Sequence, residues 1–541
     1  MATQQHNLTD YEETVRTFRL EVPERFNFAR DVVGRWARDP DKLAMLWLGE
    51  DGTERRITFR AFDQRSDRVA AALQRLGVRP GDRVMVQLPR VPEWWEVLLG
   101  CFKAGAVAVP GTVLLTAKDI HYRTTMAEGV AYVTDAEGAA RVDQVRDDCP
   151  SLRALIQVGG EPGGGWCDYE AELAAVDEPR PVDTASADPA LIYFTSGTVG
   201  NPKMVLHTHA SYPIGHVITG RFWLDLRPDD LHFNLSETGW AKAAWSSLFG
   251  PWNMGAALFV EDARGRFSAS RTLDVLERYP ITTFCAPPTA YRMLVLEDLS
   301  RRRFPSLRWC VGAGEPLNPE VIESWQRSTG LVIRDGYGQT ETVLLCGNFP
   351  TLEVRPGSMG RPSPGFTVAV IDDDGRPLPP GAEGDIAVRV HPERPVGLFR
   401  EYWRSPEATA ACRRGDWYVT GDRAVADQDG YLWFVGRADD VIISAGYRIG
   451  PFEVESALVE HPAVAEAAVV GKADPMRGTI VKAFVVLAPG HVGSEGLTRE
   501  LQEHVRRVTA AYKYPREIEY VAELPKTISG KIRRVELRAR G

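Results

Sequence analysis

The sequence has no closely spaced pair of cysteines, although it contains seven cysteines. An odd number without metal-ligand spacing favours free, mostly buried thiols in a reducing compartment. Residues 1–26 lack the apolar core of a secretory signal and the acid-poor, Arg/Ser-rich composition of a transit peptide. No segment approaches the roughly 20 consecutive apolar residues of a membrane span. These absences predict a cytoplasmic protein without integral membrane association.

The chain also lacks an excess of positive charge. Its net charge of −9 gives no reason to expect nucleic acid or an anionic membrane as a partner, although a local basic patch can still bind a phosphorylated cofactor. The hydrophobic share of 44% and the charged share of 25% are those of an ordinary soluble globular protein. A chain of 541 residues is too long for one core and predicts two or more domains.

Helical and strand patterns alternate over residues 1–190. A strand pattern at 83–88 is followed by a helix pattern at 92–104 and a second strand pattern at 106–109. This rhythm predicts a largely parallel sheet covered by helices. It continues in three strand patterns that lead into Gly/Pro-rich turns, at 283–287, 308–312 and 331–334. In open α/β sheets, ligands bind at such turns.

The pattern changes towards the C-terminus. Short hairpin-like strands between 365 and 390 predict a β-rich subdomain. A helix that begins near Pro451, two apolar strands and a helix over 496–508 then form their own core. The predicted fold class is α/β: a large N-terminal domain with parallel sheets covered by helices and a β-rich subdomain, plus a small mobile α+β C-terminal domain.

A hydroxyl- and glycine-rich loop follows the apolar strand pattern at 190–194. Its glycines let backbone N–H groups approach phosphate oxygens, its hydroxyls add donors, and its last residue adds a positive charge. It differs from a P-loop because the lysine leads into a strand pattern instead of a helix. A flexible turn is the alternative. The predicted phosphate-binding residues are Thr195, Ser196, Gly197, Thr198, Val199, Gly200, Asn201, Pro202 and Lys203.

Six motifs occur in an order that resembles the adenylate-forming superfamily of acyl-CoA synthetases, luciferases and peptide-synthetase adenylation domains. They are the loop 195–203 and the segments 335–341, 420–422, 436–440, 446–448 and 525–531. The resemblance covers about residues 30–540. Three segments look most like the medium-chain acyl-CoA synthetases: 236–240, 447–453 and 512–516.

The resemblance implies an AMP-forming acyl-CoA synthetase. A medium-chain fatty or aryl carboxylate would attack the α-phosphorus of ATP, and the thiol of coenzyme A would then displace AMP. ATP, Mg²⁺ and coenzyme A are the implied cofactors. Transfer of the acyl group to a carrier-protein thiol is one alternative, and an oxygenase like luciferase is another. A non-catalytic nucleotide-binding protein is the third, but it would need neither Lys531 nor Glu341.

Site residues follow from the resemblance, residue by residue. Lys531, on a Ser-Gly support, would bridge the carboxylate and the α-phosphate; an exposed tail lysine is the alternative. Thr340 would contact the α-phosphate, Glu341 would bind Mg²⁺, and Arg437 would contact the ribose or phosphate. Asp422 resembles the ribose ligand. The other implied ATP-site residues are Gly314, Glu315, Pro316, Asp335, Gly336, Tyr337 (stacked on the base), Gly338 and Gln339.

A hinge and a coenzyme A face are also implied. The implied units are an adenylation and acyl-binding domain over 1–436, a hinge over 437–440 with Asp439, and a mobile domain over 441–541 that would remove Lys531 after the first step. The implied coenzyme A residues are Ala445, Gly446, Tyr447, Arg448, Arg477, Arg506, Tyr514, Pro515 and Arg516. For Arg477 and Arg506, surface charge is a serious alternative.

The acyl pocket is implied at Gly338 and Trp240, with Trp245 beside them. Acetate-activating relatives carry Trp at the position of Gly338, so the substrate is expected to be longer or wider than acetate, and Gly338→Trp is expected to favour acetate or propionate. His207 and His209 form a His-X-His pair, for which packing or hydrogen bonding is favoured over a metal site. The resemblance also admits a homodimer and a lysine acyltransferase acting on Lys531.

Overall fold

The computed structural model describes residues 6–176, 179–195, 202–265, 267–438, 440–444, 447–474, 478–510, 512–526 and 531–540. Two large mixed sheets form its body. The first sheet runs, from one edge to the other, through Glu401–Tyr402, Met204–Thr208, Pro189–Phe194, Val107–Pro110, Arg83–Gln87, Gly129–Asp135, Ala154–Val158 and Cys167–Asp168. The second runs through Arg361–Pro362, Leu344–Gly347, Ile333–Gly338, Trp309–Ala313, Thr283–Ala286, Leu231–Asn234, Ala257–Glu261, Leu43–Leu48 and Glu54–Thr58.

Both sheets are parallel in the middle; the second is antiparallel at both edges, and the first is antiparallel only at the edge that contains Glu401–Tyr402. In the first sheet, Arg83–Gln87 pairs in parallel with Val107–Pro110, and Pro189–Phe194 pairs antiparallel with Met204–Thr208. Parallel strands that are covered on both faces read as continuous apolar runs, which is why they were recognisable in the sequence. The predicted strand at 331–334 is corrected: the strand is Ile333–Gly338.

Helices cover these sheets and the C-terminal region. They are Tyr11–Thr17, Gly34–Trp36, Phe59–Arg75, Pro92–Lys103, Ala117–Ala127, Ala136–Val142, Tyr169–Ala174, His216–Ile218, Ala241–Ala244, Gly250–Met254, Ala269–Arg278, Pro288–Leu294, Pro319–Thr329, Pro406–Ala411, Pro451–Val459, Glu495–Val508 and Arg534–Ala539. Wider π-helical turns occur at Phe28–Val33, Thr219–Trp223 and Trp245–Phe249, and a 3₁₀ turn occurs at Arg146–Asp148. No helix within the described ranges combines the length and apolar character needed to cross a bilayer.

Local sequence explains the helix that covers the first sheet. Thr58 caps Phe59–Arg75 by accepting a hydrogen bond from the backbone N–H of Ala61. The helix buries Val69 among other residues of one face, and it packs on Pro92–Lys103. That packing is close, because a Cβ on Gly100 would lie 2.4 Å from the Val69 side chain. Glycine is therefore required at this crossing.

Three smaller sheets follow. The β-rich subdomain contains Val368–Ile371, Glu383–Arg389, Arg413–Arg414, Trp417–Ala426 and Leu432–Arg437. Ile442–Ser444 and Tyr447–Ile449 form a small hairpin. The C-terminal sheet contains Val464–Asp474, Gly478–Leu487 and Glu517–Tyr520, with helices Pro451–Val459 and Glu495–Val508 against it. Its strands are longer than the sequence predicted, because charged and polar residues continue each strand beyond its apolar centre.

The C-terminal region contacts the body of the protein at several points. Asn318, before helix Pro319–Thr329, donates a hydrogen bond of 3.1 Å to the hydroxyl of Ser456. Phe434 and Phe452 have their ring centres 6.2 Å apart. Within the C-terminal region, Arg534 forms a 2.7 Å ion pair with Glu455, and it forms a longer one, at 3.8 Å, with Asp440 of the proposed hinge. These two ion pairs hold residues 531–534, including Lys531, against the rest of the C-terminal region.

Candidate active site

A cavity of about 1130 Å³ lies beside the carboxyl-end turns of the second sheet. Its wall includes Gly314 and Glu315 after strand Trp309–Ala313, and Gly338 at the end of Ile333–Gly338. Lys531, near the C-terminus, lines the same cavity. The fold therefore brings the tail lysine to the turns where the sequence placed ligand binding.

The predicted phosphate loop, residues 195–203, connects the antiparallel strands Pro189–Phe194 and Met204–Thr208. The N–H of Thr195 donates a 2.9 Å hydrogen bond to the carbonyl of Lys203, so the two ends of the loop are held together. The exposed ammonium of Lys203 lies 4.7 Å from the ring centre of Tyr402. The loop residues Ser196, Gly197, Thr198, Val199, Gly200 and Asn201 lie outside the described residues, so their contacts with phosphate remain a prediction.

Glu341 is held by a tyrosine that the sequence did not single out. The hydroxyl of Tyr402 donates a 2.8 Å hydrogen bond to one carboxylate oxygen of Glu341. Burial raises the pKa of Glu341, while the Tyr402 hydrogen bond and the charge of Arg437 lower it. Within the described chain no cation pairs with this carboxylate. It is therefore suited to receive one from a ligand.

Thr340, which lines the cavity, is fixed through its backbone. Its carbonyl accepts a 2.7 Å hydrogen bond from Nε2 of His207. Nδ1 of the same ring accepts from the hydroxyl of Ser211 at 3.1 Å, because a neutral ring that donates through Nε2 carries no proton on Nδ1. Burial lowers the pKa of His207 to about 3, so the ring is neutral and acts as a fixed donor.

His209 has a different environment from His207. It is fully buried, its ring lies 5.9 Å from that of Phe102, and neither ring nitrogen has a hydrogen-bond partner among the described residues. Burial lowers its pKa to about 4. In the described ranges no group of three potential metal ligands occurs. These observations support the packing and hydrogen-bonding interpretation of the His-X-His pair.

Asp422 is the centre of a polar cluster. Its carboxylate accepts a 2.6 Å hydrogen bond from the hydroxyl of Tyr337 and another from the side-chain amide of Gln339. Burial raises the pKa of Asp422, while Arg437, opposite it on the neighbouring strand, and Lys531 lower it. The structure thus brings Tyr337, Gln339, Asp422, Arg437 and Lys531 together, and their contacts with the nucleotide remain a prediction.

The predicted adenine pocket is built on two adjacent strands. Glu315 accepts hydrogen bonds from Thr289 at 3.1 Å and from Arg292 at 3.3 Å. Asp335 is buried and accepts from the N–H of Gly336 at 2.9 Å. Burial raises the pKa of Asp335 to about 8. Pro316 lies in the same turn as Glu315, after the strand that ends at Ala313.

Trp240, Trp245 and Gly338, to which the family resemblance assigns the acyl pocket, all line the cavity, and their contact with an acyl group remains a prediction. A Cβ on Gly338 would lie 2.6 Å from the carbonyl oxygen of Val343. Any side chain there must move the backbone, so Gly338→Trp is not a clean test of acyl length. Thr219 and Trp223 also line this side, and both belong to a π-helical turn, a feature that is frequent at functional sites.

The coenzyme A residues are only partly described. Arg506 stacks on Tyr514 with its guanidinium carbon 3.8 Å from the ring centre, and Arg516 donates a 2.7 Å hydrogen bond to the Tyr514 hydroxyl. Tyr447 is 53% exposed and stacks on Tyr512. The carbonyl of Pro515 accepts from Gln502. Ala445, Gly446, Arg477, the hinge residue Asp439 and the side chain of Arg448 lie outside the described residues.

Lys242 and Tyr402 were not selected from the sequence, and His207 was considered only as half of the His-X-His pair. Each contacts a partner far along the chain: Ala313, Glu341 and Thr340, respectively. For Lys242, the available signal was its position two residues after Trp240, which was assigned to the acyl pocket.

Comparison with known proteins gives the family. A family model described as "AMP-binding enzyme" matches residues 33–403, which is most of the chain, and one described as "AMP-binding enzyme C-terminal domain" matches 453–531. The chain belongs to the AMP-binding enzyme family. The mitochondrial acyl-coenzyme A synthetase ACSM3 of Mus musculus is 49% identical to it over 542 residues, covering 98% of this chain and 93% of that protein.

Solved structures resemble this AMP-binding enzyme over nearly its full length. The anthranilate CoA ligase AuaEII in complex with anthranoyl-AMP has a TM-score of 0.88 and 33% identity, covering 96% of this chain and 98% of that one. A benzoate CoA ligase from Burkholderia xenovorans LB400 has a TM-score of 0.84 and 29% identity, covering 95% and 100%. The predicted fold class and superfamily are confirmed.

The predicted cytoplasmic location of this AMP-binding enzyme is wrong. The ACSM3 and ACSM5 relatives of Mus musculus, 49% and 48% identical to it, are mitochondrial proteins. The prediction failed because a targeting segment is a removable address and does not contribute to the fold.

The Asp422 cluster predicts the effect of one substitution on ATP use. Asp422→Ala removes the carboxylate that accepts from Tyr337 and Gln339 and that would accept from the ribose. Charge-assisted hydrogen bonds contribute about 1.5–3 kcal/mol each, so KM for ATP should rise about 10- to 100-fold in ATP–pyrophosphate exchange. Tyr337→Phe, which removes only one donor, is the matched control. Near-normal saturation by ATP in Asp422→Ala would contradict the assignment.

The raised pKa of Asp335 predicts that the free energy of unfolding depends on pH. Its pKa of about 8 in the folded chain exceeds the ordinary value of 3.8, so folding binds a proton between these values. The folded state therefore loses up to about 1.4 kcal/mol per pH unit as pH rises towards 8. Asp335→Asn should remove this loss, so its stability advantage in denaturant unfolding should grow from pH 5 to pH 8. The exposed exchange Asp373→Asn is the control, and an equal advantage at every pH would refute the prediction.

Proposed function

We propose that this AMP-binding enzyme joins a medium-chain fatty or aryl carboxylic acid to coenzyme A through an acyl adenylate. The predicted acyl-CoA synthetase activity is supported by relatives named acyl-coenzyme A synthetase that match almost the full chain, and the preference for medium-chain or aryl acids is part of the proposal. The observation that carries the site assignment is the presence of Lys531 in the wall of the cavity that Thr340 and Gly338 also line. That arrangement supports the first half-reaction.

In the first half-reaction, a carboxylate oxygen bonds to the α-phosphorus of ATP while the bond to pyrophosphate breaks. Negative charge spreads over the phosphate oxygens, so fixed donors and cations lower the barrier. Lys531 would neutralise the carboxylate and the α-phosphate as they approach. Thr340 would donate its hydroxyl to the α-phosphate, with its backbone held by His207. Asp422 would hold the ribose, and Tyr337 the base.

Glu341 would hold Mg²⁺ in this half-reaction. Magnesium is commonly bound by one or two carboxylates plus phosphate oxygens and water, and Glu341 offers a carboxylate without a paired cation among the described residues. When bound, the ion supplies positive charge to the phosphate oxygens. Tyr402 orients the carboxylate by donating to one of its oxygens, which leaves the other free to face a cation.

In the second half-reaction, the thiol sulphur of coenzyme A bonds to the acyl carbon, the bond to AMP breaks, and the thiol proton is released to solvent. The proposed hinge is 437–440, between an adenylation and acyl-binding domain over 1–436 and a mobile domain over 441–541. Rotation there would withdraw Lys531 and present the face with Tyr447 and Arg448. The cluster of Arg506, Tyr514 and Arg516 supplies two guanidinium groups for the phosphates of coenzyme A.

The nature of the acid follows from the acyl side of the cavity. Trp240 and Trp245 provide aromatic walls beside Gly338, the position at which the family resemblance implies an acid longer or wider than acetate. A structural neighbour is an anthranilate CoA ligase bound to anthranoyl-AMP, which supports an aryl acid here as well. Transfer to a carrier-protein thiol, a homodimer and acylation of Lys531 by a lysine acyltransferase remain predictions.

An acid panel tests the proposed function. ATP–pyrophosphate exchange with acetate, octanoate and benzoate, each with and without coenzyme A, separates adenylation from thioester formation. Octanoate or benzoate should support exchange without coenzyme A and thioester formation with it, and acetate should be the poorest substrate because it leaves the aromatic walls uncovered. Exchange with none of the three acids would contradict the proposal.

Lys531→Ala tests the division between the two half-reactions. Loss of the ammonium should slow acyl-AMP formation by about 100-fold or more, since a single preorganised donor at developing charge contributes that much. Thioester formation from supplied acyl-AMP and coenzyme A should stay near the wild-type rate. Lys526→Ala, which removes a nearby lysine that pairs with Glu466, is the matched control. Equal loss in both half-reactions would refute the assigned role.

A further inference from the structure

Lys242 places a second ammonium group in the cavity that Lys531 enters. It lies in the short helix Ala241–Ala244, directly after Trp240, and it lines the cavity. Its ammonium donates a hydrogen bond to the carbonyl of Ala313, the last residue of a central strand. The nitrogen is 3.4 Å from the position that a Cβ would take on Gly314. This cation is therefore held at the junction of the acyl side and the nucleotide side.

No described carboxylate neutralises Lys242. Its one hydrogen bond in the part of the chain that the structure describes is to a carbonyl, and it forms no ion pair there. Glu315, the nearer loop acid, is already engaged by Thr289 and Arg292. Asp335 has a pKa of about 8, so it is mostly protonated at neutral pH and is a weak counter-charge.

An enclosed ammonium without a counter-charge is costly. Burial lowers the pKa of Lys242, the attraction of Glu315 and Asp335 raises it, and the repulsion of Lys531 lowers it further. Truncating one partner of a buried ion pair costs about 3–5 kcal/mol because the other charge is left uncompensated. Lys242 and Lys531 line the same cavity and repel each other, so an anion bound beside Lys242 would offset the cost of its burial.

We propose that Lys242 binds an oxyanion of the reacting groups, the substrate carboxylate or the α-phosphate, and keeps that contact through both half-reactions. This inference rests on the proposed acyl-CoA synthetase function and adds a catalytic residue to it. Lys531 belongs to the tail and would withdraw with the mobile domain. Lys242 belongs to a helix of the main body, so it stays at the acyl phosphate when the tail leaves.

In the second half-reaction, a cation that does not move with the C-terminal domain, such as Lys242, can stabilise the departing AMP. As the sulphur of coenzyme A bonds to the acyl carbon and the carbon–oxygen bond breaks, the electron pair of that bond goes to the phosphate oxygen of the departing AMP. A fixed positive charge beside this oxygen stabilises the negative charge that develops there. With Lys531 withdrawn, Lys242 is the lysine that the body of the protein keeps in the cavity wall.

The test compares three variants of the full chain. Lys242→Met removes the charge at similar length, Lys242→Arg retains a charge, and Lys118→Met removes a charge from an exposed helix outside the cavity. ATP–pyrophosphate exchange measures the first half-reaction, and thioester formation from supplied acyl-AMP measures the second. Lys242→Met should slow both by about 10- to 100-fold. Lys242→Arg should recover part of both rates, and Lys118→Met should match wild type.

Binding measurements separate the two possible anions. If Lys242 contacts the phosphate, Lys242→Met should weaken binding of AMP and leave that of benzoate alone; if it contacts the carboxylate, the reverse holds. Both results support the inference. Unchanged rates in Lys242→Met, or loss of the first half-reaction only, would overturn it. Thermal unfolding of Lys242→Met at a clearly lower temperature, with Lys242→Arg equally inactive, would show a structural role and would also overturn it.

The outcome for Lys242 is independent of the outcome for the proposed function. Wild-type protein that catalyses neither half-reaction with any acid of the panel contradicts the function itself. Wild-type protein that catalyses both, beside a fully active Lys242→Met, contradicts only the role of Lys242.

Discussion

The arrangement of the site depends on the ion pairs of Arg534. Its Nη2 nitrogen bonds both carboxylate oxygens of Glu455, at 2.7 and 2.8 Å, and its Nη1 lies 3.8 Å from Asp440 in the proposed hinge. Glu455 in turn accepts from the N–H of Val469 in the C-terminal sheet. Contacts of two guanidinium nitrogens with two carboxylates restrict the direction of the side chain as well as its distance. They therefore hold the tail in one orientation, and Lys531, three residues earlier, lies in the cavity wall.

The cavity encloses ionisable groups of both signs whose charged forms are disfavoured by burial or repulsion. Burial raises the pKa of Asp335, Asp422 and Glu341, while Lys242 and Lys531 repel each other. Such groups destabilise an empty site and are stabilised when a ligand brings the opposite charge. A nucleotide with its metal ion and a carboxylate supplies charges of both signs. Binding these ligands therefore relieves the electrostatic free-energy cost of the empty site, and this relief favours ligands that have that charge pattern.

Most of the fold could be predicted from local sequence patterns. Apolar runs bounded by Gly/Pro turns marked strands such as Arg83–Gln87, and a proline in the first turn marked helix Pro451–Val459. The order of the six motifs identified the family, and the motifs themselves contain Asp422 and Glu341. Tyr402, His207 and Lys242 were not readable, because each acts on a partner 61 to 133 positions away along the chain. Only the packing of strands brings those partners together.

Tyr402 connects two parts of the site that the chain keeps far apart. Lys203, at the end of the phosphate loop, lies over its ring, and its hydroxyl donates to Glu341. A triphosphate that attracts Lys203 removes positive charge from the ring face and weakens the phenol as a donor. The Glu341 carboxylate then turns more readily to a metal ion. Nucleotide and metal affinities should thus reinforce one another to the same degree in either order of addition.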